Sequence, residues 1–471
     1  MPAARPTAYE RHAPAPAAVD AALAPSRHAV FWLEDTGEVA SYPALVGSTG
    51  ADLTVVGGGY CGLWTAVLAK RRNPGARVVL LEANTVGWAA SGRNGGFCEA
   101  SLTHGEENGR SRWPEEYDVL ERLGAANLDA FESDVRELGI ECQFERTGTL
   151  SVAVEHHQVG WLRDSPHFLD ADAVRREIDS PLFLAGAWSR DDCALVHPAR
   201  LARELARVAT GLGVEIHEHT TVTGLAAPTR GPVTVRTNGG SVASDRVALA
   251  TNVFPSLLRR TRLMTVPVYD YVLMTEPLTG EQLASVGWSH RQGLGDLANQ
   301  FHYARLTADH RILWGGYDAI YHRGRRVRAS YEERPETFRR LAAHFLAAFP
   351  QLAGLTFSHR WAGAIDTSTQ FAAFHGLAAR GRVAYAAGFT GLGVGATRFA
   401  AEVMLDRLSG LTTERTRLDM VRRKPPPFPP EPLASAGINL TRWSLDRADH
   451  RAGERNLFLK ALDAAGLGFD S

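Results

Sequence analysis

The chain has 471 residues, 45% of them hydrophobic, and 51 Lys+Arg stand against 52 Asp+Glu for a formal charge of −1. At the usual ~100–200 residues per domain this length holds two or three domains with a sizeable core. The even charge balance leaves no basic excess to point to nucleic acid or an anionic membrane, and no run of 18 apolar residues suggests a transmembrane helix.

Residues 1–45 are rich in Ala and Pro and read as an arm draped over the body, anchored by Trp32 in the apolar stretch Val30–Leu33. The arm has no apolar h-region, so no secretory signal is expected. Ala51–Val56 is a short apolar run that leads into Gly57-Gly-Gly-Tyr-Cys-Gly62. Leu63–Lys70 then has helical composition, and Asn73-Pro74-Gly75 breaks it before a second buried-strand pattern, Arg77–Glu82. Strand, glycine turn, helix and strand make a βαβ unit, which implies a parallel sheet with a right-handed crossover. Leu120, Leu123, Leu128, Phe131, Val135 and Leu138 predict a helix within 115–140, and Gly148–Val154 a strand. Pro198 opens a helix that ends near Gly213, and a strand follows from Val214. Residues 232–237 and 241–251 form a meander, and 264–275 and 310–317 are strands of a second sheet. A helix covers 333–349, and the glycine cluster Gly388–Gly395 opens another over 396–410. Pro425–Pro432 is a stiff linker to a helical tail.

Cys61, Cys98, Cys142 and Cys193 are far apart and form no CxxC pair. They predict reduced thiols in a cytoplasmic protein, with neither a metal site nor a disulfide framework. Only Lys70, Lys424 and Lys460 are lysines, which limits the chemistry that lysine can perform.

The spacing Gly57-x-Gly59-x-x-Gly62 fits a dinucleotide fingerprint for physical reasons. The first glycine permits a tight turn, the second lets backbone approach a pyrophosphate, and the third lets helix pack on strand. Glu82 lies twenty residues after Gly62 at the end of the next strand, where an acid bonds ribose hydroxyls and repels a 2′-phosphate. NADP is thereby disfavoured, leaving NAD or FAD. The loop Gly87–Phe97 can supply backbone N–H groups, Arg93 and Asn94 to a long cofactor. The helix opened by Gly388–Gly395 can place a second dipole at the flavin pyrimidine ring. Two dipole sites and this loop favour FAD.

These residues carry a resemblance. Gly57–Gly62, Glu82, the loop Gly87–Gly96 with its Ala90-Ser-Gly-Arg-Asn-Gly-Gly96 core, and Gly388–Gly393 resemble the D-amino acid oxidase superfamily of FAD enzymes, in particular its gamma-glutamylputrescine oxidase-like branch. The resemblance spans roughly residues 28–415. It implies a mixed α/β fold: a glutathione-reductase-type, Rossmann FAD domain and a substrate domain on a large antiparallel sheet. Placed on this chain, the FAD domain covers 46–105, 185–255 and 355–420, the substrate domain covers 106–184 and 256–354, and 421–471 form the linker and tail. The resemblance puts Gly57, Gly59 and Gly62 at the pyrophosphate and Glu82 at the adenosine ribose, with Tyr60 and Cys61 also on the cofactor. Ala90, Ser91, Arg93, Asn94, Gly95 and Gly96 would line the pyrophosphate and ring. Val222 would reach adenine through its backbone, with Thr251 also on the cofactor. Gly388, Thr390, Gly391, Leu392 and Gly393 would lie at the isoalloxazine. The segment 388–398 contains no Cys, His or Lys, so noncovalent FAD is expected.

The activity this implies is oxidation of the C–N bond of an amine or amino acid. Hydride passes to flavin N5, the imine is hydrolysed, and O2 or an electron carrier reoxidises the flavin. The rivals are a flavin dehydrogenase of a non-amine substrate and a flavin-binding protein without turnover. Amine oxidation needs orientation more than acid–base groups, so the pocket candidates are aromatic. Tyr269 and Tyr271 share one face of a strand with Asp270 on the other, and His302 and Tyr303 lie on opposite faces of another. Trp314 and Trp361 are further candidates, His302 is a candidate base, and Arg305 is placed to meet a substrate carboxylate.

Overall fold

The computed structural model describes residues 5–37 and 40–468. Residues 1–4 and 38–39 of the expected arm, and 469–471 of the tail, lie outside the described residues. Five parallel strands form the centre of the first domain, in the order Val383–Ala387, Gly240–Leu249, Gly47–Val56, Val78–Leu81 and Val214–His217. Val78–Leu81 is an unbroken apolar run because both its faces are buried. The helices Tyr60–Arg72, Pro198–Gly211 and Gly393–Leu408 share one core on one face, and the meander built on Val233–Thr237 covers the other.

The second sheet has ten strands. Its central order is Phe357–Ser368, Thr265–Thr275, Ile312–Gly316, His302–Leu306, Gly293–Asp296, Thr149–Ala153 and Ala185–Ser189. Pairing is mostly antiparallel, but Gly293–Asp296 runs parallel to Thr149–Ala153. The helix Pro335–Ala348 packs on one face, closing a core that contains Tyr269, Tyr271, Trp314, Phe338 and Phe345. The opposite face looks toward the parallel domain.

Two expected boundaries are corrected. Ala185–Ser189 and Phe357–Ser368, assigned from sequence to the cofactor domain, are strands of the second sheet. Their apolar patterns fit either sheet, and only strand partners distinguish them. The arm also enters the fold more deeply than draping implies. Arg27–His28 adds a parallel strand beside Phe357–Ser368, and Tyr9 is 3% exposed. Trp32 does anchor it: its indole donates to the carbonyl of Asn94 at 2.9 Å. The tail forms two helices, Leu433–Asp449 and Leu457–Ala464. Among the described residues no helix is long and apolar enough to cross a membrane. All four cysteines are buried and free.

Candidate functional site

One cavity of about 1110 Å³ runs between the two domains, with mostly apolar walls. Its cofactor-domain end is built of backbone. Gly57 has φ +113°, and a Cβ there would stand 2.4 Å from the carbonyl oxygen of Ala250. A Cβ on Gly62 would stand 1.9 Å from the oxygen of Gly57, so only glycine lets the helix start against its strand. The N-terminus of Tyr60–Arg72 opens on the cavity through Gly59, Tyr60 and Cys61. The N-terminus of Gly393–Leu408 opens on it through Thr390, Gly391, Leu392 and Gly393. Two helix ends thus bring partial positive charge to one apolar space.

Glu82 closes this end. One carboxylate oxygen accepts the N–H of Gly58 at 2.6 Å, and the other accepts Asn84 N–H at 2.8 Å and the Trp88 indole at 3.0 Å. Burial pushes its carboxyl above the usual range, while those three donors pull it back. Ala90, Ser91, Arg93, Asn94, Gly95, Gly96, Val222 and Thr251 also reach the cavity wall. Gly62 and Gly388 stand behind it, shaping the turns.

Arg93 is not free to serve an anion. Its guanidinium meets Glu332 at 2.5 Å and donates to the carbonyls of Trp88 and Ala362. The side chain of Asn94 is turned onto its own loop, donating to Ala90 and Ser91 carbonyls and accepting Gly96 N–H. Thr390 donates its hydroxyl to the Gly388 carbonyl. These three side chains therefore hold their loops, against the ligand-facing role expected of Arg93 and Asn94. Lys70 sits on the first helix as expected, donating to the carbonyls of Pro74 and Ala76.

The other end is the substrate-domain chamber, and here the sequence expectations need correction. Tyr271 faces the helix Pro335–Ala348: its hydroxyl donates to the Tyr331 carbonyl at 2.6 Å and its ring packs on Phe338. Tyr269 touches the cavity wall, but its hydroxyl is tied to the backbone of Arg328. His302 lies in the core beneath the sheet. It pairs with Asp296 at 2.7 Å and His344 at 2.9 Å, and stacks on Trp314 and Tyr317. It does not reach the cavity and cannot act there as a base. Arg305 is equally enclosed, donating to the Val196 carbonyl at 2.5 Å and lying against Trp32. Trp314 and Trp361 are core residues, the latter donating to the Arg93 carbonyl.

Of the four catalytic candidates Tyr269 and Tyr303 line the chamber, and the Tyr303 hydroxyl donates to Asp270, which lines it too. Asp270 was not singled out from the sequence, although an acid inside the apolar strand Thr265–Thr275 is a readable signal. Burial raises its carboxyl to about 6. Asp366, also on the wall, accepts Gly388 N–H at 2.5 Å and Phe389 N–H at 3.2 Å, and burial raises it to about 7. No motif marks Asp366; it supports the third glycine cluster from a neighbouring strand.

The tail roofs the cavity. Pro426–Pro429, Ile438, Thr441, Arg442, Phe458 and Leu462 all line it. Asp449 fixes the roof helix by accepting Asn299 N–H at 2.9 Å and Gln300 N–H at 3.1 Å.

The dimensions and donors fit a dinucleotide carrying an isoalloxazine: two helix ends, a glycine turn that excludes any Cβ, and an acid beside it. Comparison with known proteins agrees. The family profile "FAD dependent oxidoreductase" (DAO) matches residues 52–407. Gamma-glutamylputrescine oxidoreductase of Escherichia coli is 30% identical over 423 residues, 85% of this chain and 92% of that protein. A probable oxidoreductase, OrdL, of Haemophilus influenzae is 24% identical over 81% of this chain and 88% of its own length. The structures of L-proline dehydrogenase from P. horikoshii and glycine oxidase from Geobacillus kaustophilus each superpose with a TM-score of 0.64. They are 18% and 19% identical, cover 80% and 79% of this chain, and are themselves covered to 98% and 99%. The chain belongs to the DAO family of FAD-dependent oxidoreductases.

Proposed function

We propose that this enzyme oxidises the C–N bond of a small amine, using FAD held noncovalently, with O2 as the final acceptor. The observation that carries the reading is the single cavity in which two helix N-termini at the cofactor end meet an aromatic chamber containing Asp270 and Tyr303. The names of the relatives and of the structural neighbours, which concern amines and amino acids, support it.

Bound FAD supplies the two-electron acceptor for the C–N bond. The backbone N–H groups at the start of Tyr60–Arg72 would hold the pyrophosphate, Glu82 the ribose, and the Val222 backbone the adenine. The helix end at Thr390–Gly393 would face the pyrimidine edge. The protein's own contribution to the reaction is position and an apolar surround. The roof helices and Phe97, Tyr303 and Tyr317 give the chamber mostly apolar walls. An apolar surround favours the neutral form of a bound amine, the form that is oxidised, so an amine that enters as an ammonium must lose a proton before it is oxidised. The imine leaves to hydrolyse to a carbonyl and an amine or ammonia.

The test is anaerobic mixing of the purified yellow protein with a panel of amines, followed by admission of air. Bleaching by at least one amine and release of hydrogen peroxide are expected, and acid precipitation should leave the colour in the supernatant. Failure of every amine to bleach the flavin overturns the reading. Bleaching without peroxide moves the acceptor to an electron carrier.

A further inference from the structure

The strand Thr265–Thr275 sends Val266, Val268 and Asp270 to the cavity wall. Asp270 sits opposite Gly363 in the register with Phe357–Ser368, so no neighbouring side chain on that strand covers it. On its other side Tyr303 is seated in a notch. A Cβ on Gly315 would stand 2.6 Å from its Cζ, and one on Gly95 would stand 2.7 Å from its Cε2. The chain therefore keeps glycine at positions that leave a carboxylate and a phenol exposed to the chamber. Phe97 stands edge-on to Tyr303 at 5.8 Å between centroids.

Asp270 has no cationic partner among the described residues. It accepts the Tyr303 hydroxyl and, more weakly, backbone N–H groups of Tyr271 and Gly316. A buried carboxylate without a counter-charge is costly, and a cation entering the chamber removes that cost. Aromatic faces around it suit an ammonium for the same electrostatic reason. Among the described residues, the cavity wall carries only two guanidiniums and no lysine. Arg93 is held by Glu332, and Arg442, on the roof helix, leans toward Asp318 at 3.6 Å. Arg442 keeps its Nε without a hydrogen-bond partner, but neither guanidinium interacts with Asp270, so a carboxylate carried on the same carbon as the amine meets Asp270 without a counter-charge there.

We propose that Asp270, oriented by Tyr303, receives the ammonium group of the substrate and rejects amines that carry a carboxylate on the nitrogen-bearing carbon. This rests on the amine-oxidising reading and assigns its specificity. It sets the chain apart from fold neighbours named for glycine and L-proline, because an α-carboxylate beside Asp270 meets a like charge among mostly apolar walls.

The experiment uses the holoenzyme and the best amine of the screen, paired with its α-carboxylated counterpart. Rapid-mixing reduction of the flavin gives a Kd and a limiting rate for each. In the wild type the amine is preferred over its carboxylated partner by about 100-fold, as repulsion and unpaired burial of charge demand. Asp270→Asn should raise the amine Kd by about 30-fold or more. The preference should collapse toward parity, while flavin content and Tm stay at wild-type values. Asp270→Glu should recover part of the affinity.

The wild-type Kd should also rise as pH falls through about 6. Asp270 then takes a proton and loses the charge that binds, and this limb should vanish in Asp270→Asn. Asp366 and Glu99 also line the cavity, and burial raises both to about 7, so only the part of the limb that disappears in Asp270→Asn belongs to Asp270. Tyr303 titrates far above this range, the Ile312–Gly316 strand offers only backbone, and Arg93 behind Gly363 is paired with Glu332. Unchanged Kd and unchanged preference in Asp270→Asn overturn the proposal while leaving amine oxidation intact. If Asp270→Asn loses its flavin, Tyr303→Phe replaces it, removing only the donor. A wild-type Kd that is flat from pH 5 to 8 and equal affinity for the carboxylated partner then overturn the proposal. Failure of all amines to bleach the wild type falls on the parent reading instead.

Discussion

The two ends of the cavity are built by different means. At the cofactor end the wall is backbone: Gly57, Gly59, the helix start at Tyr60, and the turn at Gly391–Gly393. Side chains there mostly tie loops together, as Arg93, Asn94 and Thr390 do. At the substrate end the wall is side chains, brought together from the strands Thr265–Thr275, His302–Leu306 and Phe357–Ser368 and from the tail. A backbone wall tolerates no added atom but little depends on which polar residue stands nearby. A side-chain wall tolerates reshaping but changes its chemistry with one substitution.

That contrast can be broken most severely at Gly62. Gly62→Ala should yield essentially flavin-free protein, since its Cβ would overlap the Gly57 carbonyl and lift the helix off its strand. The ratio of visible flavin absorbance to protein absorbance reads this directly. Normal flavin content would mean that the turn is not the cradle.

A smaller effect is expected at Tyr271, which belongs to the core and not to the chamber. Tyr271→Ala should lower stability by about 3–5 kcal/mol, as other large-to-small core changes do. The rate of flavin reduction per flavin-loaded molecule should stay unchanged. A normal Tm with a slowed reduction would return Tyr271 to the chamber and reverse the facing of its strand.

The smallest of the three is Glu82→Ala. Loss of a charged acceptor should weaken FAD binding by about 10-fold or more, corresponding to ~1.5–3 kcal/mol. Equilibrium titration of apoprotein with FAD measures it. Glu82→Gln separates the proposed ribose role from the support of the turn, because an amide oxygen still accepts the Gly58 N–H while the charge is gone. Unchanged affinity in both variants would leave Glu82 as a support for the turn alone.

The cofactor end was legible because its constraints are local. Gly57, Gly59 and Gly62 fall within one turn, and the acid that serves them follows after one helix. Each glycine answers to a steric demand set by neighbours a few residues away or on the next strand. Alternation along Val268–Val272 likewise showed that Asp270 opposes Tyr269 and Tyr271. It did not show which side faces the cavity. That depends on where the helix Pro335–Ala348 packs: its Phe338 took Tyr271 into the core, while Tyr269 packs on His322 and Tyr331 at the edge of the cavity. Arg93 read as an anion ligand because its partner Glu332 lies 239 residues away.

By itself the sequence determined the parallel sheet, the glycine turn and the acid beside it, and together with the family resemblance it pointed to a flavin dinucleotide. Repeats of two residues and of a helical turn, and glycines forced by contact distance, are properties of short stretches of chain. Only the tertiary structure decided the substrate end. It turned Asp270 and Tyr303 inward, sent His302 to Asp296 and His344, and laid the tail helix Leu433–Asp449 across the opening. Those outcomes rest on contacts between segments tens to hundreds of residues apart, settled by which apolar faces bury one another.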